Sequence, residues 1–313
     1  MTAYARRPVR HLPSPEGALQ RLHRARFGLA RRVMQFGVLL LFYGTLHAGW
    51  TLLGAPLLTG NLSAAQLLGI LPFADPFATL QLLAARQVLA AEVLVGAAAT
   101  LLAYGLLGGR VFCAWVCPMN VVTDTAAGLR HQLGLDPQRD LVRLPALARY
   151  GLLVLALLVS ALAGLPAFEA YSPIAMLHRE LIYGLGLGLT AALGILLLDT
   201  FVLHRGWCGH LCPLGAFWAL VGRIPRLGQV QVAFHDASCS RCGDCVKVCP
   251  EPRVLHFAKC AEAGRVVGSE CTRCGRCVAV CPESSLRFDL SARIQRAPAR
   301  GGSPPSTIAG ETS

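Results

Sequence analysis

Charge is scarce in this chain. Only 15% of its 313 residues are Asp, Glu, Lys or Arg, where an ordinary soluble domain holds about a quarter. Acidic residues are the scarcer kind, 17 against 29 basic ones, and 54% of the chain is hydrophobic. A basic surplus suits nucleic acid or an anionic surface. Here the arginines flank apolar runs, which favours a membrane surface, and no nucleic-acid partner is expected. Also missing are a haem-attachment C-x-x-C-H, a Walker A loop and a dinucleotide G-x-G-x-x-G in strand–helix context. Those absences argue against bound haem c and nucleotide chemistry. The first apolar run starts late and has no clear small-residue cleavage site, so a cleavable signal peptide is not expected.

What the chain does have is cysteine, thirteen in all. Cys239-Ser-Arg-Cys242-Gly-Asp-Cys245-Val-Lys-Val-Cys249-Pro250 is followed by Cys271-Thr-Arg-Cys274-Gly-Arg-Cys277-Val-Ala-Val-Cys281-Pro282. Each run has the C-x2-C-x2-C-x3-C-P spacing of bacterial ferredoxins, whose fourth cysteine serves the other cluster. Cys239, Cys242, Cys245 and Cys281 are therefore assigned to one [4Fe–4S] cluster, and Cys271, Cys274, Cys277 and Cys249 to a second. Structural zinc is the alternative, but zinc ribbons bring two cysteine pairs together across a longer gap. Free thiols in this pattern point to a reducing compartment and to one-electron transfer. Cys260 lies outside both patterns and is read as structural.

Four apolar stretches, at 33–53, 87–107, 150–166 and 181–203, are 17–23 residues long, enough to cross a bilayer. The expected fold is a membrane all-α domain of four transmembrane helices plus a small α+β two-cluster bacterial ferredoxin-like module. The boundaries would be a basic cytoplasmic tail at 1–32, with a surface helix over 19–32, and a four-helix membrane domain at 33–228. The ferredoxin-like domain would follow at 229–290 and a disordered tail at 291–313. Lys/Arg counts in the connecting segments alternate, eight in the tail, none in 54–85, five in 108–149, one in 167–180 and fourteen after the fourth stretch. That alternation implies a multi-pass protein of the bacterial inner membrane with both termini cytoplasmic. Residues 57–85, uncharged save Asp75 and broken by glycine and proline, are expected outside or re-entrant.

The apolar part repeats itself. Cys113-Ala-Trp-Val-Cys117-Pro118 is matched 95 residues later by Cys208-Gly-His-Leu-Cys212-Pro213, and Asp75-Pro-Phe-Ala-Thr-Leu80 by Ser172-Pro-Ile-Ala-Met-Leu177. A duplicated two-helix hairpin accounts for both. Cysteines four apart share a helix face, so Cys113, Cys117, Cys208 and Cys212 form a candidate redox or metal tetrad. Small residues in helix packing are the alternative. Quinol oxidation releases protons and needs a base. Candidates are Glu92, Glu169 and His178, with His47, Asp75, Arg179 and Glu180 nearby; an ionisable residue in a span is functional by default. Asp199 is a candidate partner for Arg205. Trp50, Trp115, Trp207 and Trp218 read as interfacial anchors.

Arg31-Arg32-Val-Met-Gln35, Gly60-Asn-Leu-Ser63, Asp75-Pro-Phe-Ala-Thr-Leu-Gln81, Ser172-Pro-Ile-Ala-Met-Leu-His178-Arg179, Cys249-Pro-Glu-Pro252 and both C-x3-C-P motifs resemble the NapH family. These features cover the chain from about residue 31 to 290. NapH proteins are ferredoxin-type membrane components of quinol dehydrogenases in the periplasmic nitrate reductase system. The chain is also similar to MauN and to the carboxy-terminal half of NosR, without the latter's flavin-binding region. The resemblance implies an oxidoreductase component that draws electrons from the membrane quinone pool, with lipid as its surroundings. It would pass them through a NapG-like ferredoxin-type protein to a periplasmic reductase. The rival readings are an assembly or maintenance factor for a metalloenzyme and a redox sensor.

Overall fold

Glycine and proline cut the apolar runs into pieces shorter than their hydropathy suggests. The computed structural model describes residues 18–135, 141–142, 144–145, 147–184, 186–224 and 229–290. The expected tail at 291–313 and most of the basic tail lie outside the described residues. Helix α1 (Ala18–His47) merges the expected surface helix with most of the first apolar stretch. Strands β1 (Thr51–Leu52) and β2 (Ala55–Pro56) form a small hairpin, and β3 (Leu58–Asn61), β4 (Ala64–Leu67) and β5 (Leu71–Ala74) an antiparallel meander. The Asn61 side chain accepts from the N–H groups of Ser63 and Ala64 and closes the β3–β4 turn. A sheet thus stands where an outside or re-entrant loop was expected.

Helix α2 (Pro76–Ala84) starts because Asp75 accepts from the Phe77 N–H and Pro76 fills the first helical position. Helix α3 (Ala91–Leu107) stops at Gly108, whose φ is 112°. Short α4 (Val111–Trp115) leads into α5 (Met119–Gln132), then α6 (Ala148–Ala163), α7 (Ala167–Tyr171) and α8 (Pro173–Tyr183). Left-handed glycines again end α6, at Gly164, and α8, at Gly184. The last apolar stretch is therefore split between α8, α9 (Gly188–Leu197) and a π-helical turn at Leu198–Val202. A second π turn, Trp207–Leu211, precedes α10 (Pro213–Val221).

Among the described residues no helix is long and apolar enough to cross a membrane. The four-span membrane fold, and with it the multi-pass inner-membrane location and lipid surroundings, is corrected on that finding. The physical reason is helix termination: α3 and α6 keep only 17 and 16 residues, and α1 gains its length by including the arginine-rich segment.

Phe77, Met119, Leu153, Ile174, Leu177, Leu214 and Trp218 form the main core together with Cys117 and Cys212. Trp218 is 1% exposed, so it is a core residue and no interfacial anchor. Close packing here depends on Gly109, at φ 74°, where a Cβ would stand 2.3 Å from the Trp218 carbonyl oxygen. The remaining chain pairs β6 (Val230–Phe234) with β7 (Leu286–Leu290), whose alternating apolar and polar residues already spell a strand in the sequence, in antiparallel register. Between them lie α11 (Asp244–Val248), α12 (Phe257–Ala263) and α13 (Arg276–Val280). Cys260, 2% exposed, packs among Val232, Val254 and Leu286.

Candidate iron–sulfur centres

The two cysteine runs fold alike because each alternates ordinary and left-handed residues. Arg241 (φ 55°) and Gly243 (φ 80°) in the first are matched by Arg273 (φ 51°) and Gly275 (φ 76°) in the second. Such alternation turns successive N–H groups inward as an anion-binding concavity, a device common at Fe–S sites. The Arg241 N–H bonds the Cys239 thiol and the Arg273 N–H bonds that of Cys271. The left-handed glycines then open α11 and α13, and Cys249 and Cys281 end those helices in extended geometry.

The fold crosses the fourth cysteines over. One cavity is lined by Cys239, Cys242, Cys245 and Cys281. Another is lined by Cys249, Cys271, Cys274 and Cys277. Apolar side chains complete both walls, among them Phe234 and Leu286 in the first and Val232 and Val254 in the second. Among the described residues no three His, Cys, Asp or Glu gather as one metal ion would need. A zinc ion would draw four sulfurs to about 2.3 Å from one centre, whereas a cubane spreads them over four irons. The donor sets and the inward N–H groups fit [4Fe–4S] clusters. Burial pushes the Cys245 thiol up to about 12 and raises Cys249 and Cys277 as well, so loading with metal must release protons.

The C-x3-C-P cysteines also come together. Cys113 lies in α4, Cys117 just before α5, Cys208 in the second π turn, and Cys212 caps α10, its sulfur accepting from the Gly215 N–H at 3.4 Å. Burial raises all four thiols, and charge on one further raises others of the set. Arg110 works against this at Cys113, by charge and by a hydrogen bond. A π turn carrying one of the four cysteines is the local distortion that often marks functional sites.

Buried ion pairs bind this tetrad to the segments flanking the second cluster site, Glu251 after Cys249 and Glu270 before Cys271. Arg110 Nη1 reaches Glu251 at 2.8 Å and Glu270 at 3.1 Å, and Arg149 Nη1 reaches Glu251 at 3.2 Å. Arg149 also pairs with Glu270, which accepts from the Tyr150 hydroxyl. Arg110 Nη2 donates to the Cys208 carbonyl at 3.1 Å. A third cavity is lined by Cys113 and Cys208 on one side and Cys274 on the other. Beside it Asp124 pairs with Arg31 (3.7 Å), Arg32 (2.6 Å), Arg205 (3.0 Å) and Arg276 (2.5 Å). Burial would raise the Asp124 carboxyl, but these four guanidiniums outweigh it and hold it below its usual range. Sequence reasoning counted these arginines as loop charge and missed the network. The available signals were Arg110 directly after Gly108-Gly109 and Glu251 directly after Cys-Pro.

The proposed proton acceptors are placed unequally. Glu169 accepts from the Ser63 hydroxyl, and its backbone N–H donates to Gln81 Oε1 at 3.3 Å. Burial raises its carboxyl. Asp75 is held up to about 7 by burial, with a smaller push from the Glu169 charge. Glu92 is exposed at the start of α3 and stands apart from this pair. His178 is fully buried against Phe42 (ring centroids 4.8 Å), neither ring nitrogen has a partner, and burial lowers it to about 4. His47 Nε2 bonds the Ile182 carbonyl at 2.8 Å. Asp199 accepts from the Trp207 N–H at 3.0 Å, while Arg205 pairs with Asp124. An aromatic row, Phe168, Phe77, Phe217 and Trp218, runs from beside Glu169 into the core that holds Cys117 and Cys212, with centroids 5.4–5.7 Å apart.

Comparison with known proteins agrees with this geometry. The 4Fe-4S binding domain family (Fer4_5) matches residues 89–135 and 185–229, which carry the C-x3-C-P motifs, and the 4Fe-4S dicluster domain family (Fer4_10) matches 231–282. The chain is 45% identical to the methylamine utilization ferredoxin-type protein MauN of Methylorubrum extorquens, over 68% of this chain and 72% of that protein. It is 42% and 40% identical to the ferredoxin-type proteins NapH of Haemophilus influenzae and Escherichia coli, over 74% of this chain and 77% of each of those proteins. No solved structure matches it. With iron–sulfur domains over both C-x3-C-P motifs and both ferredoxin runs and relatives of this identity and coverage, the chain belongs to the NapH/MauN family of ferredoxin-type electron-transfer proteins.

Proposed function

We propose that the chain oxidises a quinol and passes the electrons, through a NapG-like ferredoxin-type partner, toward a reductase of the nitrate reductase system. The observation that carries the relay is the crossed lining of two cavities by four thiols each. Cys239, Cys242, Cys245 and Cys281 would hold one cluster, and Cys249, Cys271, Cys274 and Cys277 the other. Bound [4Fe–4S] clusters supply one-electron carriers. The polypeptide supplies the rest. The inward N–H groups of the two loops favour anionic sulfur, and Arg110 and Arg149, through Glu270, keep the second run fixed against the tetrad. Cys113, Cys117, Cys208 and Cys212 stand between the aromatic row and the second cluster site, the position of an intermediate station.

Support for quinol as donor comes from Asp75 and Glu169. A quinol gives up two protons with its two electrons, so a base must titrate near the working pH. Asp75, held up to about 7, meets that condition, with Glu169 beside it to share the proton. Glu92 lacks this setting.

The test is anaerobic EPR on the purified protein, with iron counted, before and after a reduced quinol analogue is added. About eight irons and a quinol-dependent cluster signal support the reading. Clusters that dithionite reduces and quinol does not would refute the quinol step and favour the maintenance role.

A further inference from the structure

A polar pocket of about 240 Å³ opens beside the second cluster site, between β6 and the segment leading to Cys271. Arg223, Arg265 and Arg273 line it, together with Gln231 and Ser269, and no carboxylate is among its described lining residues. This contrasts with the arginines around the tetrad, which are matched by Asp124, Glu251 and Glu270. Here the intramolecular acceptors are neutral. Arg265 Nη1 donates to Gln231 Oε1 at 2.7 Å, Arg223 Nε to Ser269 Oγ at 3.4 Å, and Arg273 Nε to the Val230 carbonyl at 2.5 Å. Arg273 is 7% exposed; burial disfavours its charge, the Cys271 sulfur favours it and Arg265 opposes it. Three guanidiniums lining one pocket with no carboxylate among its described lining residues form a site for anions brought from outside.

The pocket shares a wall with the second cluster site. Cys271, Arg273, Val232 and Val266 line both. An anion seated here would lie against a side chain expected to bind the cluster, which is where an electron-transfer partner needs to dock.

We propose that this pocket is the port at which an acidic electron-transfer protein places its carboxylates in order to exchange electrons with the second cluster. The inference rests on the cluster reading above. The exchange moves one electron between the cluster and the partner's own redox centre, one being oxidised as the other is reduced, and no bond or proton changes place. Charge complementarity selects the partner. Carboxylates meet guanidiniums whose partners in the pocket wall are neutral acceptors, while a basic protein is repelled by a chain of net charge +12.

The experiment measures binding of a soluble acidic two-cluster ferredoxin to the full, cluster-loaded chain by calorimetry, over a range of sodium chloride concentrations. Rates of electron transfer between the two are followed in parallel. Wild type should bind with a Kd that weakens steeply as salt rises. The double variant Arg223→Glu, Arg265→Glu changes an exposed and a half-buried side chain. It should bind about tenfold more weakly at low salt or worse and lose most of the salt dependence, with its cluster EPR signals unchanged. Arg223→Lys, Arg265→Lys should largely restore binding. Equal affinity and an equal salt slope in the Glu variant would overturn the port while leaving the clusters standing. So would millimolar phosphate displacing the ferredoxin more strongly than chloride at matched ionic strength, because the pocket would then be a small-anion site. A wild-type chain without cluster signals would overturn the cluster reading and the port with it.

Discussion

Single side chains decide which cluster each cysteine would serve. Cys281 closes the second run in sequence but lines the cavity of the first. Cys281→Ser should therefore abolish the cluster of the 239–245 loop and spare the other, lowering iron from about eight to about four per chain. Iron analysis with EPR checks this, and loss of the 271–277 cluster instead would contradict the crossing. Asp75 sets a pH dependence of its own. Its carboxyl titrates near 3.8 when exposed and at about 7 in the fold, so the folded chain holds an extra proton between those values. Stability should thus fall as pH rises from about 4 to 7. Asp75→Asn should flatten that slope in urea midpoints and lower quinol oxidation most above pH 7.

Between elements, close approaches and buried charges carry the architecture. Gly109 lets the turn after α3 lie on α10, with the Trp218 carbonyl oxygen and Gly222 nitrogen too near for a side chain. Gly109→Ala, strained at φ 74° and in collision with backbone, should cost about 2–4 kcal/mol, read as a fall in thermal midpoint. Arg110 joins α4 to both segments flanking the second cluster site, through Glu251 and Glu270. Removing it leaves two carboxylates sharing Arg149 in a buried site. Arg110→Met should cost about 3–5 kcal/mol and broaden or shift the EPR signal of the second cluster while leaving the first in place.

For the molecule as a whole, the question is how the cluster-bearing segment is held to the helical body. Asp124, on α5, takes guanidiniums from α1 (Arg31, Arg32), from the loop before the second π turn (Arg205) and from α13 (Arg276). One carboxylate thus closes three contacts at once, and without it four cations lie close together, three of them (Arg31, Arg205 and Arg276) lining one cavity. Asp124→Asn should loosen the assembly, seen as faster hydrogen exchange in α13 and in the 271–277 loop. Strands β6 and β7, which pair with each other, should keep their protection.

Local spacing settled a good deal on its own. The C-x2-C-x2-C-x3-C-P runs, the strand at 286–290, the repetition of Asp75-Pro by Ser172-Pro and the pairing of the C-x3-C-P motifs were all legible, because each depends on neighbours within a few residues or on plain repetition. Hydropathy misled over the apolar runs. It measures how much apolar surface a stretch has and not where its helix stops. Left-handed glycines at 108, 164 and 184, together with two π turns, set those stops. The network of Asp124, Arg110, Arg149, Glu251 and Glu270 was beyond sequence reading for a related reason. Most of its pairs join residues about a hundred positions apart, and only tertiary packing, by removing water from those charges, makes each depend on the others.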